Sequence, residues 1–238
     1  MFIKAIAGIN NVDAQRVSLV ARAAEAAGVA MLDIAADATL VALVRQVAPS
    51  VKVVVSSVIP EQLAALADSV DMVEIGNFDA LYEEGRFVSA ETVLRLAQET
   101  IDAVAQRVPV CVTIPGHLNR QAQVALAQQL QTMGATLIQT EGAIRLLSDN
   151  QTVAPLNADE KAALTLANTE LLVQSNTLPV MCASGIHAGN VAAALARGAV
   201  AVGIGSAVNK LNSLEAMVEE LTKAQAVVAQ AIPLAQAV

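Results

Sequence analysis

Charged side chains stand inside several apolar stretches of this sequence. Lys4 lies in FIKAIAG, Asp33 in MLDIA, Glu74 in MVEIG and Glu141 in IQTEG. A charge in such a stretch must pair with an opposite charge or reach solvent where the stretch ends. The same surroundings shift pKa values toward those suited to proton abstraction or, for a lysine, to Schiff-base chemistry. Lys4, Asp33, Glu74 and Glu141 are therefore the candidate catalytic residues.

Two segments in the last quarter of the chain end an apolar run with serine and glycine. One is CASG, which contains Ser184 and Gly185, and the other is GIGS, which contains Gly205 and Ser206. Glycine lets backbone N–H groups approach a phosphate closely, and the start of a following helix would direct its positive end at the same anion. These four residues are predicted to form a phosphate site, although strand-to-helix turns also need glycine for steric reasons alone.

Four other polar residues are candidate ligand contacts. They are Thr113, Gln139, Thr140 and His187. The segment QTEG is unusually polar for the end of a buried strand, and His187 closely follows the first glycine-serine segment. The two histidines are far apart and lack Asp or Glu at ligand spacing, so no metal site is predicted. No Gly-x-Gly-x-x-Gly motif follows a strand, and no cofactor is predicted.

A fourfold repeat positions many of these residues. Each copy consists of an alanine-rich helix end, a turn residue and a strand, and the copies begin at Ala23, Ala64, Gln128 and Ala192. Aligning the turn residues gives one equivalent position to Asp33, Glu74, Gln139 and Gly203. Two residues further along the strands stand Ala35, Gly76, Glu141 and Gly205. Because side chains alternate along a strand, both sets point the same way.

Further apolar runs complete the pattern of alternating strands and helices. They are Ile3–Gly8, Val51–Ser56, Val108–Ile114 and Leu178–Ser184. Eight such strands in 238 residues predict an α/β fold, a single (β/α)8 TIM barrel of the phosphate-binding type. We assign residues 1–220 to the barrel and 221–238 to a C-terminal helical tail. Since alternate strands fill each interior layer, Asp33, Glu74, Gln139 and Glu141 are expected to converge on the barrel axis.

Lys4 has two interpretations in this barrel. If its side chain points inward, Asp33 on the neighbouring strand is the expected partner. The pair would then serve chemistry, or it would be a structural salt bridge that closes the barrel floor.

Composition excludes several classes of partner. With a net charge of −8 and no tryptophan, the chain offers nucleic acid neither a basic face nor stacking platforms. The same acidity argues against an anionic membrane surface, and no apolar run approaches the ~20 residues of a membrane span. Cys111 and Cys182 lie in predicted strands and are expected to be small buried hydrophobic residues of a reducing cytosol.

The combination of motifs resembles a known family. The segments FIKAIAGINN, MLDIAAD, VEIGNFD, IQTEG, CASG and VGIGSAVNKLN together are similar to the family called hypothetical chloroplast open reading frame twenty-three, of cyanobacteria and algal plastids. The resemblance runs from residue 1 to about Glu220. It implies a phosphate-binding (β/α)8 barrel in a cyanobacterial cytoplasm or a plastid stroma, and it implies no particular reaction.

Three functions remain open at this point. The first is an enzyme, a lyase or isomerase that acts on a small phosphorylated metabolite. The second is a non-catalytic barrel that senses such a metabolite and docks on a larger photosynthetic or metabolic assembly. The third is a structural subunit without a ligand. The apolar tail could pack on the barrel or on another subunit, which leaves a homo-oligomer or a protein partner open.

Overall fold

Eight parallel strands close into a barrel in this computed structural model, which describes residues 1–82, 85–142, 145–146, 153–154 and 156–235. In chain order the barrel strands are β1 (Phe2–Gly8), β2 (Met31–Ala35), β3 (Lys52–Ser57), β4 (Met72–Ile75), β5 (Val110–Ile114), β6 (Leu137–Thr140), β9 (Val180–Ala183) and β10 (Ala201–Ile204). Between β6 and β9, a short antiparallel pair is formed by β7 (Arg145–Leu146) and β8 (Val153–Ala154). The predicted TIM barrel is confirmed, with strand bounds that differ from the expected ones by one or two residues.

Helices connect the barrel strands. They are α1 (Ala14–Ala26), α2 (Ala38–Val47), α3 (Pro60–Leu66), α4 (Asp79–Tyr82), α5 (Ala90–Val104), α6 (Arg120–Met133), α7 (Ala158–Ser175), α8 (Val191–Ala196), α9 (Ser206–Asn209) and α10 (Leu214–Ala235). The expected boundary at residue 220 lies inside α10, which packs against α1 and α8. Among the described helices, none is long and apolar enough to cross a membrane.

The lower half of the barrel interior is an apolar floor. Its residues come from six strands and are Val54, Met72, Cys111, Leu137, Met181 and Ala201. In five of these strands the residue two positions further along also points its side chain inward. In β10 that residue is Gly203, which has no side chain. Met72 in this way lies below Glu74, and Leu137 lies below Gln139. The floor therefore separates the charged layer from solvent at the N-terminal end of the barrel.

Candidate functional site

A cluster of three charged residues fills the barrel interior above the apolar floor. Lys4, Asp33 and Glu74 are all completely buried. The Lys4 ammonium donates to Glu74 Oε2, and Lys4 Nζ lies 3.8 Å from Asp33 Oδ2. The closest partner is therefore Glu74 and not the expected Asp33. Glu74 has the longer side chain, and the Asp33 carboxylate is held elsewhere by Ser56 and Asn77.

Two amide side chains cover the carboxylates on the side of the strand C-terminal ends. Asn77 Nδ2 donates to Asp33 Oδ2 at 2.6 Å, and Gln139 Nε2 donates to Glu74 Oε1 at 2.8 Å. Gln139 Nε2 also lies 3.2 Å from the hydroxyl oxygen of Thr113. Gln139 thus meets the layer of Asp33 and Glu74, as the alignment of the repeats predicted. Asn77, whose backbone φ angle is 62°, was not part of that prediction.

The cluster holds one cation and two carboxylates, and its pKa values reflect this imbalance. Burial raises the pKa of Asp33 to about 7, the charge of Glu74 adds to the effect, and Lys4 opposes it. Burial alone would lower the pKa of Lys4, but the charges of Glu74 and Asp33 outweigh it and raise that pKa. Near neutral pH, Asp33 therefore exists in both protonation states, while Lys4 stays charged.

A cavity of about 590 Å³ opens at the C-terminal ends of the strands. Its lining includes Ser184 and Gly185 after β9 together with Gly205 and Ser206 after β10, so the four predicted phosphate residues border one space. Asn77 and Gln139 also line it. The buried charged cluster thus lies directly behind these two amides.

Of the residues that the structure describes, three cationic side chains not predicted from the sequence line the same cavity: Arg16, Lys161 and Lys210. Lys161 Nζ lies 2.6 Å from Asp79 Oδ2, which also accepts from the Ser184 hydroxyl at 2.8 Å. The expected helix after β10 is α9, which has only four residues. Its dipole is correspondingly small, because the macrodipole sums over aligned peptide units. Positive charge at the cavity therefore comes mainly from side chains.

Glycine is sterically required at two positions around Lys161 and Ser184. A Cβ atom on Gly142 would stand 2.4 Å from Lys161 Cγ, and one on Gly185 would stand 2.9 Å from the backbone nitrogen of Ala162. Ser184 itself has φ of 82°, although it is not glycine. Such a conformation costs about 1–3 kcal/mol and is typical of functional sites, where the surrounding structure maintains it.

Glu141 lines the cavity on the side of α4. Its Oε1 accepts from the backbone N–H of Asp79 at 2.8 Å, and its Oε2 accepts from the Tyr82 hydroxyl at 2.8 Å. Burial raises the pKa of Glu141 well above its ordinary value and the charge of Asp79 raises it further, whereas these hydrogen bonds oppose the shift. The result is a carboxyl group held in one orientation at the cavity wall.

Several predicted site residues lie away from the cavity or have other partners. Lys4, Asp33, Glu74 and Thr113 are buried behind its lining. Thr140 lines the cavity, but its hydroxyl lies 3.1 Å from that of Thr169. His187 is exposed and accepts from the N–H of Gly189 through Nδ1.

Three residues of the site were not predicted from the sequence, although signals for them exist: Asn77, Asp79 and Lys161. Asn77 and Asp79 stand in a long segment that leaves the C-terminal end of β4, and Lys161 stands in the first turn of α7. In barrel enzymes, residues at that end of the strands carry the chemistry. Polar residues just after β4 and at the start of α7 would therefore have been reasonable candidates.

Solved structures of TIM-barrel enzymes share this fold. The 3-hexulose-6-phosphate synthase from Salmonella typhimurium superposes with a TM-score of 0.70 and 15% identity, over 97% of this chain and 99% of that chain. A truncated 3-deoxy-D-arabino-heptulosonate 7-phosphate synthase from Thermotoga maritima gives a TM-score of 0.64 and 16% identity, over 100% of this chain and 87% of that chain.

Relatives in sequence identify the family. The "Uncharacterized protein ycf23" of Cyanophora paradoxa is 36% identical over 225 residues, which cover 93% of this chain and 90% of that protein. The protein of the same name from Cyanidium caldarium is 35% identical over 228 residues, which cover 95% and 90%. These matches confirm the resemblance seen in the sequence motifs. Residues 1–233 match the family described as "Protein of unknown function (DUF561)", and the chain belongs to that family.

Proposed function

We propose that this protein is an enzyme, a lyase or an isomerase, that acts on a small phosphorylated metabolite. The observation that carries the proposal is the lining of one cavity by Ser184, Gly185, Gly205 and Ser206 together with Lys161 and Lys210. Backbone groups at glycine turns and nearby cations are what an anion needs. A volume of about 590 Å³ also suits a small ligand. The names of both structurally similar synthases include a phosphorylated compound.

Within this proposal Glu141 is the acid–base residue. Of the four candidate catalytic residues, it is the one that lines the cavity. Burial raises the pKa of this carboxyl group, which favours its protonated form and suits it to donate a proton. The backbone N–H of Asp79 and the Tyr82 hydroxyl fix its orientation at the cavity wall. Lys4, Asp33 and Glu74 are positioning residues, which act through Asn77 and Gln139.

A thermal-shift screen against phosphorylated metabolites tests the proposal. A ligand at 100 times its dissociation constant stabilises the fold by roughly 2.7 kcal/mol, which raises the melting temperature by several degrees. We expect such a rise in the wild-type protein and its loss in Ser206→Asp, because the added carboxylate repels the phosphate. A panel that shifts neither protein would contradict the proposal.

Ser213→Asp is the matched control for that variant. Ser213 is exposed, lies outside the cavity, and accepts from the N–H of Ala216 near the start of α10, a role that aspartate can also fill. This variant should keep the full ligand response. The compound that causes the shift is then assayed for turnover, which Glu141→Gln should abolish while binding persists. Binding without turnover in the wild-type protein would favour a metabolite sensor instead.

A further inference from the structure

Three acceptor oxygens of the cavity lack a donor. Among the described residues, four buried side-chain oxygens have no hydrogen-bond partner, and three of these belong to residues that line the cavity. These three are Gln139 Oε1, Asp79 Oδ1 and Asn209 Oδ1. The fourth, Thr100 Oγ1, lies on α5 and outside the cavity lining. A buried acceptor without a donor costs about 1–3 kcal/mol, so a ligand that supplies donors gains affinity here.

The surrounding contacts fix these groups as acceptors. Gln139 Nε2 donates to Glu74 Oε1 at 2.8 Å, and Asn209 Nδ2 donates to the carbonyl of Ile6 at 2.6 Å. Rotating either amide would bring its oxygen against another oxygen. In Asp79, Oδ2 accepts from both Lys161 and Ser184, whereas Oδ1 has no donor. The three oxygens are therefore buried acceptors that only a donor group can satisfy.

Gly203 packs closely beside the Gln139 oxygen. A Cβ atom on this residue would stand 3.5 Å from Gln139 Oε1, and it would also collide with Ala183 and Ile6. Gly203 shares its interior layer with Asp33, Glu74 and Gln139 in the repeat. The one copy without a side chain at this position therefore offers the Gln139 acceptor no side-chain donor.

A phosphate group cannot satisfy these acceptors, because as a dianion it only accepts. The donors must come from the rest of the ligand, as hydroxyl or ammonium groups. Arg16, Lys161 and Lys210 line the same cavity as the acids Asp79 and Glu141. Among the described residues, three cations against two acids disfavour an ammonium ligand, which leaves hydroxyl groups.

We propose that the ligand is a polyol phosphate whose hydroxyl groups donate to Gln139, Asn209 and Asp79. This inference rests on the proposed function, since it specifies the chemistry of the part of the ligand that is not the phosphate group. It also gives the buried cluster a role. Glu74, held by Lys4, fixes the Gln139 amide so that its oxygen is the acceptor without a donor.

Binding of matched compound pairs tests the proposal. The pairs are ribitol 5-phosphate with pentyl phosphate, and glycerol 3-phosphate with propyl phosphate, measured by calorimetric titration together with inorganic phosphate. In at least one pair, the wild-type protein should bind the polyol member about tenfold more tightly or better, because a site built for hydroxyl groups rejects an analogue that lacks them. Gln139→Met should reduce that preference at least about fivefold.

Two further variants keep the test decisive. Thr100→Val removes the unpartnered oxygen outside the cavity and should leave the preference unchanged. Asn209→Met should lower the preference for the polyol phosphate over its alkyl analogue. Because Asn209 does not contact the buried ion pair, this variant still tests the proposal if Gln139→Met fails to fold. Equal binding within both pairs would overturn the polyol inference and leave phosphate binding standing. A wild-type protein that binds neither pair nor inorganic phosphate would overturn the proposed function as well.

Discussion

Replacing Lys4 by methionine is expected to lower the free energy of unfolding by about 3–5 kcal/mol at pH 8. Lys4 is completely buried and is the cation that faces Glu74 and Asp33. Without it, two carboxylates remain buried with no opposite charge, and the floor below them is apolar. Urea denaturation followed by circular dichroism measures the change.

Two comparisons separate this effect from a general intolerance of the substitution. Lys52→Met changes an exposed lysine at the start of β3 and should alter the free energy of unfolding by no more than about 0.5 kcal/mol. In the Lys4→Met background, Glu74→Gln removes one uncompensated charge and should restore a large part of the lost stability. An unchanged free energy of unfolding in Lys4→Met would show that the cluster is not held as an ion pair.

Asp33→Asn is expected to stabilise the protein at pH 8 and not at pH 4. The pKa of Asp33 lies at about 7 in the folded protein, above its ordinary value of 3.8. A carboxyl group whose pKa is higher in the folded than in the unfolded protein contributes stability at low pH. That stability is fully present below the pKa of the unfolded state and is lost as the pH rises through the pKa of the folded state. At about 1.36 kcal/mol per pKa unit, wild type should lose up to about 4 kcal/mol between pH 4 and pH 8 through this residue.

The measurement is the difference in free energy of unfolding between wild type and Asp33→Asn at pH 4, 6 and 8. Asp102→Asn, on the exposed side of α5, is the matched control for a carboxylate-to-amide change outside the buried cluster. A constant difference for Asp33→Asn would mean that this carboxyl titrates normally. A residue that costs stability at neutral pH fits a role in the site, where Asp33 holds Asn77 at the cavity.

The convergence of Asp33, Glu74 and Gln139 could be predicted because backbone geometry determines it. Side chains alternate along a strand, and alternate strands of a barrel fill a layer, so the spacing of the repeat was sufficient. The choice of partner for Lys4 was not predictable in this way. It depends on side-chain length and on the hydrogen bonds that Ser56 and Asn77 make with Asp33.

The cations of the cavity could not be predicted from strand patterns for a related reason. Arg16 comes from α1, Lys161 from α7 and Lys210 follows α9, so their approach depends on how helices cross the ends of the strands. His187 shows the opposite case. It stands close to Gly185 in the sequence, yet the chain turns so that its ring contacts the N–H of Gly189 and not the cavity.

The phosphorus resonance of inorganic phosphate, followed as protein is added, tests phosphate binding at this cavity most directly. We expect the line to broaden with the wild-type protein and with Ser213→Asp, and to stay sharp with Ser206→Asp. Equal broadening with all three proteins would place the anion elsewhere on the surface, and a sharp line with the wild-type protein would contradict a phosphate site altogether.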